Sequence, residues 1–167
     1  MVFLHETEIT INNSNDANGD LAGIAMYPTS QYTAAAGLFG VRESQTAAGL
    51  SFWTGSNTGT ERMRIDSSGN LLVGKTSADN TTAGHRLSPS GFVSHVRSGD
   101  TPMLINRLSS NGGLILFRKD GSDVGTIGVL NGRPYFASNN CGIRMGAAEI
   151  VPATSSGANS NGVMSIG

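Results

Sequence analysis

No apolar pattern in this 167-residue chain runs long enough to build a helix. Wherever apolar residues start to recur at i, i+3 and i+4, a Gly, a Pro or an Asn-Ser cluster breaks the pattern within about ten residues. What is left is a series of short bursts at Phe3–Ile11, Leu21–Tyr27, Gly37–Arg42, Gly49–Trp53, Arg62–Asp66 and Leu71–Val73. Gly, Ser, Asn and Thr make up about four residues in ten, and only 14% of the chain is charged. A weakly charged chain with evenly spaced apolar bursts and abundant turn residues predicts an all-β fold of short antiparallel strands and hairpin meanders.

The clearest local signal lies in the second half. Leu114–Lys119 runs into Asp120-Gly121, then Val124–Leu130 into Asn131-Gly132, then Arg133–Ala137. Asp-Gly and Asn-Gly between apolar runs are strong hairpin signals, because both central residues of the turn need positive φ. Two in series predict a three-stranded meander, with Pro134 near a strand start or on an edge because it lacks an N–H. The chain reads as an N-terminal β segment over 1–76, a linker or loop over 77–90, a β meander over 91–150 and a small-residue tail over 151–167. A loose internal likeness also appears. Gly49–Thr54 leads through a turn to Arg62-Met63, and Gly132–Ser138 leads through Asn139-Asn140 to Arg144-Met145.

Several function classes find little support. Eleven basic residues against 12 acidic ones give a net charge of −1, so no single-sign field steers nucleic acid. No apolar run approaches the ~18 residues of a membrane-spanning helix. Gly69–Thr76 matches G-x-x-x-x-G-K-[ST] letter for letter. However, its middle reads as a strand and no helix follows to hold phosphates, so Lys75 is read as a solvated strand-end lysine. Ser14–Gly19 lacks the first Asp and the twelfth-position Glu of a calcium loop. His5, His85 and His95 have no ligand spacing to one another or to Cys141, so neither metal nor cofactor is expected. The carboxylates Asp120 with Asp123, and Glu61 with Asp66, could pair for glycan hydrolysis. Asp120 and Asp66 read better as turn residues, so no catalytic residue is assigned.

The most informative stretch is Thr60–Thr76. Alternation puts Met63 and Ile65 on one face of a strand, and Leu71 and Val73 return on a second strand after Gly69. Glu61-Arg62-Met63-Arg64-Ile65-Asp66-Ser67-Ser68-Gly69-Asn70, followed by a short apolar strand and Gly74, resembles a segment common in bacteriophage tail fibres and tail spikes. The flanking AGLFGVRE, GLSFWTGS and GGLILFRKDGSDVGTIGV are similar to that family too, so the resemblance spans most of Leu21–Gly167. In the family a glycine-rich strand usually follows Gly-Asn, whereas Leu71-Leu72-Val73 is bulkier. The self-cleaving chaperone domain that often follows has no counterpart here.

The resemblance implies an elongated, intertwined homotrimeric fibre. It would be a structural component of the virion, assembled in the host cytoplasm, joined to other tail or baseplate proteins and attached to a host-surface glycan or protein. Large core residues are few, and a thin chain of this kind is usually stabilised by oligomerisation. Met63, Ile65, Leu71, Val73, Leu114, Leu116, Ile127 and Val129 are the candidates for a shared trimer core. Asn12–Asp20, Pro28–Ala36 and Gly55–Thr60 are candidate contact loops. The competing expectations are a glycan-degrading spike fragment and a monomeric β-sandwich binding module.

Overall fold

The structure is a computed structural model that describes residues 17–26, 35–55, 59–138 and 141–160. The described residues are all-β and every strand pairing is antiparallel, as the interrupted apolar pattern predicts. The chain divides into two compact units, Met1–Met103 and Leu104–Gly167. The stretch expected as a linker, residues 77–90, therefore lies inside the first unit and carries a strand.

The first unit is a seven-stranded sheet in which each strand pairs with the next along the chain. Its strands are β1 (Leu21–Met26), β2 (Ala35–Arg42), β3 (Ala48–Gly55), β4 (Thr60–Ile65), β5 (Leu71–Val73), β6 (Gly84–Leu87) and β7 (Val93–Val96). The second unit is a five-stranded sheet built the same way, from β8 (Gly112–Lys119), β9 (Ser122–Leu130), β10 (Arg133–Ala137), β11 (Gly142–Met145) and β12 (Ile150–Ala153). The Asp-Gly and Asn-Gly turns form where expected. Asp120 and Asn131 have φ of 50° and 52°, and Gly121 and Gly132 follow at 80° and 74°, the left-handed pair that suits a two-residue hairpin.

A second turn recurs three times, at Asp66–Asn70, Ser88–Phe92 and Thr154–Ala158. In each, the first residue's N–H donates to the fifth residue's carbonyl at 2.8–3.0 Å, and the fourth residue, a Gly, donates to the first residue's carbonyl at 2.9 Å. The glycines have φ of 81°, 85° and 80°, which a residue with a Cβ adopts only at a cost. In all three the flanking residues pair six positions apart: Ile65 with Leu71, Leu87 with Val93, and Ala153 with Asn159. Ser, Thr or Asp in first place and Ser in third let side chains cap the turn. Asp66 Oδ1 accepts from the N–H of Ser68 at 3.0 Å and of Asn70 at 2.8 Å. Ser88 and Thr154 each place a hydroxyl 3.0–3.1 Å from the third residue's Oγ.

The looser likeness between the two halves is only partial. An aromatic strand does pair with an Arg-Met strand in both β3–β4 and β10–β11. Phe52 faces Met63 in the first and Tyr135 faces Arg144 in the second, and a bulge at Phe52/Trp53 is confined to the first.

Buried side chains are few. Leu72 is fully covered, standing directly between Arg64 on β4 and Arg86 on β6. In the second unit Tyr135 is buried between two glycines. A Cβ on Gly128 would sit 2.5 Å from its ring, and one on Gly157 only 2.4 Å away. A Cβ at Gly128 would also lie 2.6 Å from the Gly112 carbonyl, a backbone atom that does not swing aside. Gly128→Ala is expected to lower unfolding free energy by about 1–3 kcal/mol. Urea denaturation followed by circular dichroism checks it, and an unchanged midpoint would contradict this packing.

Candidate assembly surface

In an antiparallel sheet, residues directly opposite one another share a face, so the register converts the sequence into two surfaces. In the first unit a straight row crosses β3 to β7 as Leu50, Ile65, Leu71, Leu87 and Val93. A second row on the same face crosses all seven strands as Ile24, Leu38, Phe52, Met63, Val73, His85 and His95. Among the described residues, much of this face is left open. Ile24 is 57% exposed and Val93 51%, and Ile65 and Leu87 are also exposed. Met63, Ile65, Leu71 and Val73, the first four candidates for a shared core, all stand here.

The opposite face is closed by its own side chains. The row Phe39, Ser51, Arg64, Leu72, Arg86 and Ser94 crosses β2 to β7. Ser51 is fully buried; its hydroxyl donates to the Phe39 carbonyl at 3.2 Å and accepts from Trp53 Nε1 at 2.9 Å. Arg64 makes a forked ion pair with Glu61, Nε to Oε1 at 2.5 Å and Nη2 to Oε2 at 2.6 Å, and reaches Glu43 at 3.4 Å. Glu43 in turn accepts from the Ser67 N–H at 3.0 Å and its hydroxyl at 2.6 Å. The hydrogen bond to Glu61 is the largest cause raising the Arg64 pKa above its ordinary value. Arg86 stacks over Phe92 with its guanidinium carbon 4.8 Å from the ring centre. Long basic side chains lying along a sheet shield apolar neighbours from water; Arg64 does so paired with carboxylates, and Arg86 while donating to the Ala78 carbonyl and Asn80 Oδ1. The ERMRIDSSGN segment therefore places the Glu61–Arg64 ion pair on the closed face and Met63 and Ile65 on the open one.

The second unit repeats this division. Ile115, Ile127, Phe136, Ile143 and Pro152 form one row across all five strands. Phe117 packs edge-on against Phe136, with ring centres 6.2 Å apart. Phe136 is 53% exposed, and Phe117, Ile143 and Met145 are exposed as well. Ile127, Pro134, Phe136, Ile143 and Met145 line a shallow hollow on this face. Ile127 and Val129 belong to it, because Val129 faces Pro134. Leu114 and Leu116 do not. A bulge between Gly113 and Ile115 shifts the register, so Ile115 and not Leu114 stands opposite Ile127. Leu116 faces Thr126 on the side that holds Tyr135, and Leu114 and Leu116 line a separate hollow there with Thr126 and Tyr135. The expectation that all eight residues form one inward set is therefore corrected for these two.

The remaining sequence candidates have other structural duties. Lys75 is buried, which corrects its reading as a solvated lysine. Its Nζ donates to the Asp79 carbonyl at 2.6 Å and the Thr82 carbonyl at 3.1 Å, and so ties down the loop between β5 and β6. Leu71–Val73, which a phosphate-binding motif would need as a loop, is strand β5. Of the proposed carboxylate pairs, Asp123 is paired with Arg118 at 2.8 Å, Asp120 with Lys119, and Glu61 with Arg64, while Asp66 caps its turn. Cys141 is exposed, with its sulfur 3.4 Å from the Ser138 hydroxyl. His85 and His95, which their spacing set apart, are direct cross-strand partners. No set of three or more potential metal ligands gathers among the described residues. Ser14–Asp16 of the calcium-like loop and most of the candidate contact loops lie outside the described residues. Compared with known proteins, the chain matches no protein-family model, no curated protein and no solved structure.

Asp79 carries a pH signature. Hydrogen bonds from the Ser77 hydroxyl, then from the N–H groups of Thr82 and Thr81, hold its carboxyl far below the ordinary carboxylate range. A depressed folded pKa contributes stability that is fully present above the unfolded value of about 3.9 and is lost as pH falls toward the folded one. Asp79→Asn is expected to melt below the wild type at neutral pH, with the gap narrowing as pH is lowered from about 4 to 2. Thermal melts across that range check it, and a gap that stays constant would exclude the role.

Proposed function

We propose that this chain is a structural segment of a bacteriophage tail fibre, a homotrimer of the virion that serves host-surface attachment. One observation carries the reading: among the described residues, each unit carries an apolar row across its sheet, much of it open to solvent. Burying a Leu, Ile, Val, Met or Phe side chain contributes about 1.5–3 kcal/mol, so the half-exposed residues of each row represent several kcal/mol of unrealised stabilisation. Uncovered apolar faces of this extent mark surfaces that another chain covers. The ERMRIDSSGN segment, which resembles tail fibres and tail spikes, lies at the middle of the first of these faces. In this reading three copies share Met63, Ile65, Leu71 and Val73 in one core and Ile127 and Val129 in another. The fibre joins other tail or baseplate proteins at one end and a host glycan or protein at the other. Three identical weak receptor contacts on one stalk would gain avidity from their high local concentration.

Light scattering after gel filtration tests the assembly. The expected mass is three times the 17.2 kDa of one chain. Met63→Asp, which puts a charge in the centre of the apolar row, is expected to yield monomers or insoluble protein, whereas the exposed substitution Lys119→Asp leaves the trimer intact. A folded wild-type monomer would overturn the proposal and favour a monomeric binding module.

A further inference from the structure

His85 on β6 and His95 on β7 stand directly opposite each other at the end of the longer apolar row. Both are exposed. Their Nδ1 atoms are 2.6 Å apart, with ring centres 4.8 Å apart and the planes inclined by 67°. β7 is the edge strand of its sheet among the described residues, so no further described strand hydrogen-bonds beyond His95. Two lone-pair-bearing nitrogens at this distance repel unless something positive lies between them. A proton on one ring satisfies that need as an ordinary hydrogen bond. A metal ion satisfies it more strongly, because both nitrogens then act as donors to one centre.

We propose that His85 and His95 form a two-histidine chelate for a borderline divalent transition metal of the zinc or nickel type, bound through Nδ1 of both rings. Imidazole nitrogen is a preferred ligand for these ions. With metal–nitrogen bonds of about 2.0–2.1 Å, a tetrahedral angle separates the two nitrogens by about 3.3 Å and a right angle by about 2.9 Å. The rings therefore open by less than about 1 Å from their present separation, a small rotation for two exposed side chains. The remaining coordination positions take water. The ion would staple β7, the last strand, onto β6 from the side opposite its hydrogen-bonded turn at Ser88–Phe92. The pair lies within one chain, so the proposal goes beyond the trimeric fibre and stands or falls separately from it.

The test is a titration of the full chain with Zn²⁺, read by calorimetry and by long-range ¹H–¹⁵N spectra of the imidazole rings. One saturable event per chain is expected, with the metal-induced shift on Nδ1 of two rings. His85→Gln and His95→Gln should each weaken binding by on the order of a hundredfold, since each removes one arm of a chelate. The double variant should lose the saturable event altogether, and His5→Gln should bind as the wild type does. Equal affinity in the wild type and the double variant, a shift on Nε2 instead, or a shift on one ring only would overturn the proposal. If the variants unfold when melted in the presence of a chelator, the wild-type ring spectrum alone decides, through which nitrogens move.

Discussion

The described strands of each half form one sheet, and a single sheet has two faces but only one chain's worth of side chains to cover them. The molecule resolves that constraint by closing one face with its own long and aromatic residues and leaving the other apolar. Leu72 is fully buried with Arg64 and Arg86 as its cross-strand neighbours, and Gly128 and Gly157 make room for the ring of buried Tyr135. The hydrogen-bonded chain from Glu61 through Arg64 and Glu43 to Ser67 holds the closed face in place. These charged groups lie partly buried and paired, which makes such an ion-pair network more effective than an isolated surface pair.

The open face follows from the closed one. Because side chains alternate along a strand, committing Arg64 and Leu72 to one side commits Met63, Ile65, Leu71 and Val73 to the other. The recurring five-residue turn then preserves that commitment from hairpin to hairpin. Its residue count keeps the strand after the turn in phase with the strand before it, so Leu87 and Val93 extend the row that Ile65 and Leu71 begin. Repeating a local rule can thus carry one apolar row across several strands. Such a surface suits assembly between copies, and the histidine pair at its end sits where the edge strand has least support.

Much of the strand content was legible in advance because it rests on local chemistry. Asp120-Gly121 and Asn131-Gly132 demand left-handed backbone whatever surrounds them, and the Asp66–Gly69 turn carries its own side-chain caps. The same turn at Ser88–Phe92 and Thr154–Ala158 was harder to see, since Pro, Phe and Ala replace the more telling residues of the first copy. The strand β6 was hidden inside a polar stretch because Gly84-His85-Arg86-Leu87 is too short and too mixed to show alternation.

The amino-acid sequence by itself determined the class of fold, the hairpin turns and the face on which Met63, Ile65, Leu71 and Val73 lie, because each depends on contacts within a few residues. Only the tertiary structure decided register. The bulge at Gly113/Ile115 moved Leu114 and Leu116 away from Ile127, the loop at Asp79 and Thr82 buried Lys75, and β6–β7 pairing brought His85 against His95. In each case a shift of one residue between strands, or a loop closing over a side chain, sets the outcome. The energies that choose among such alternatives come from neighbours distant in sequence, which no short window of residues contains.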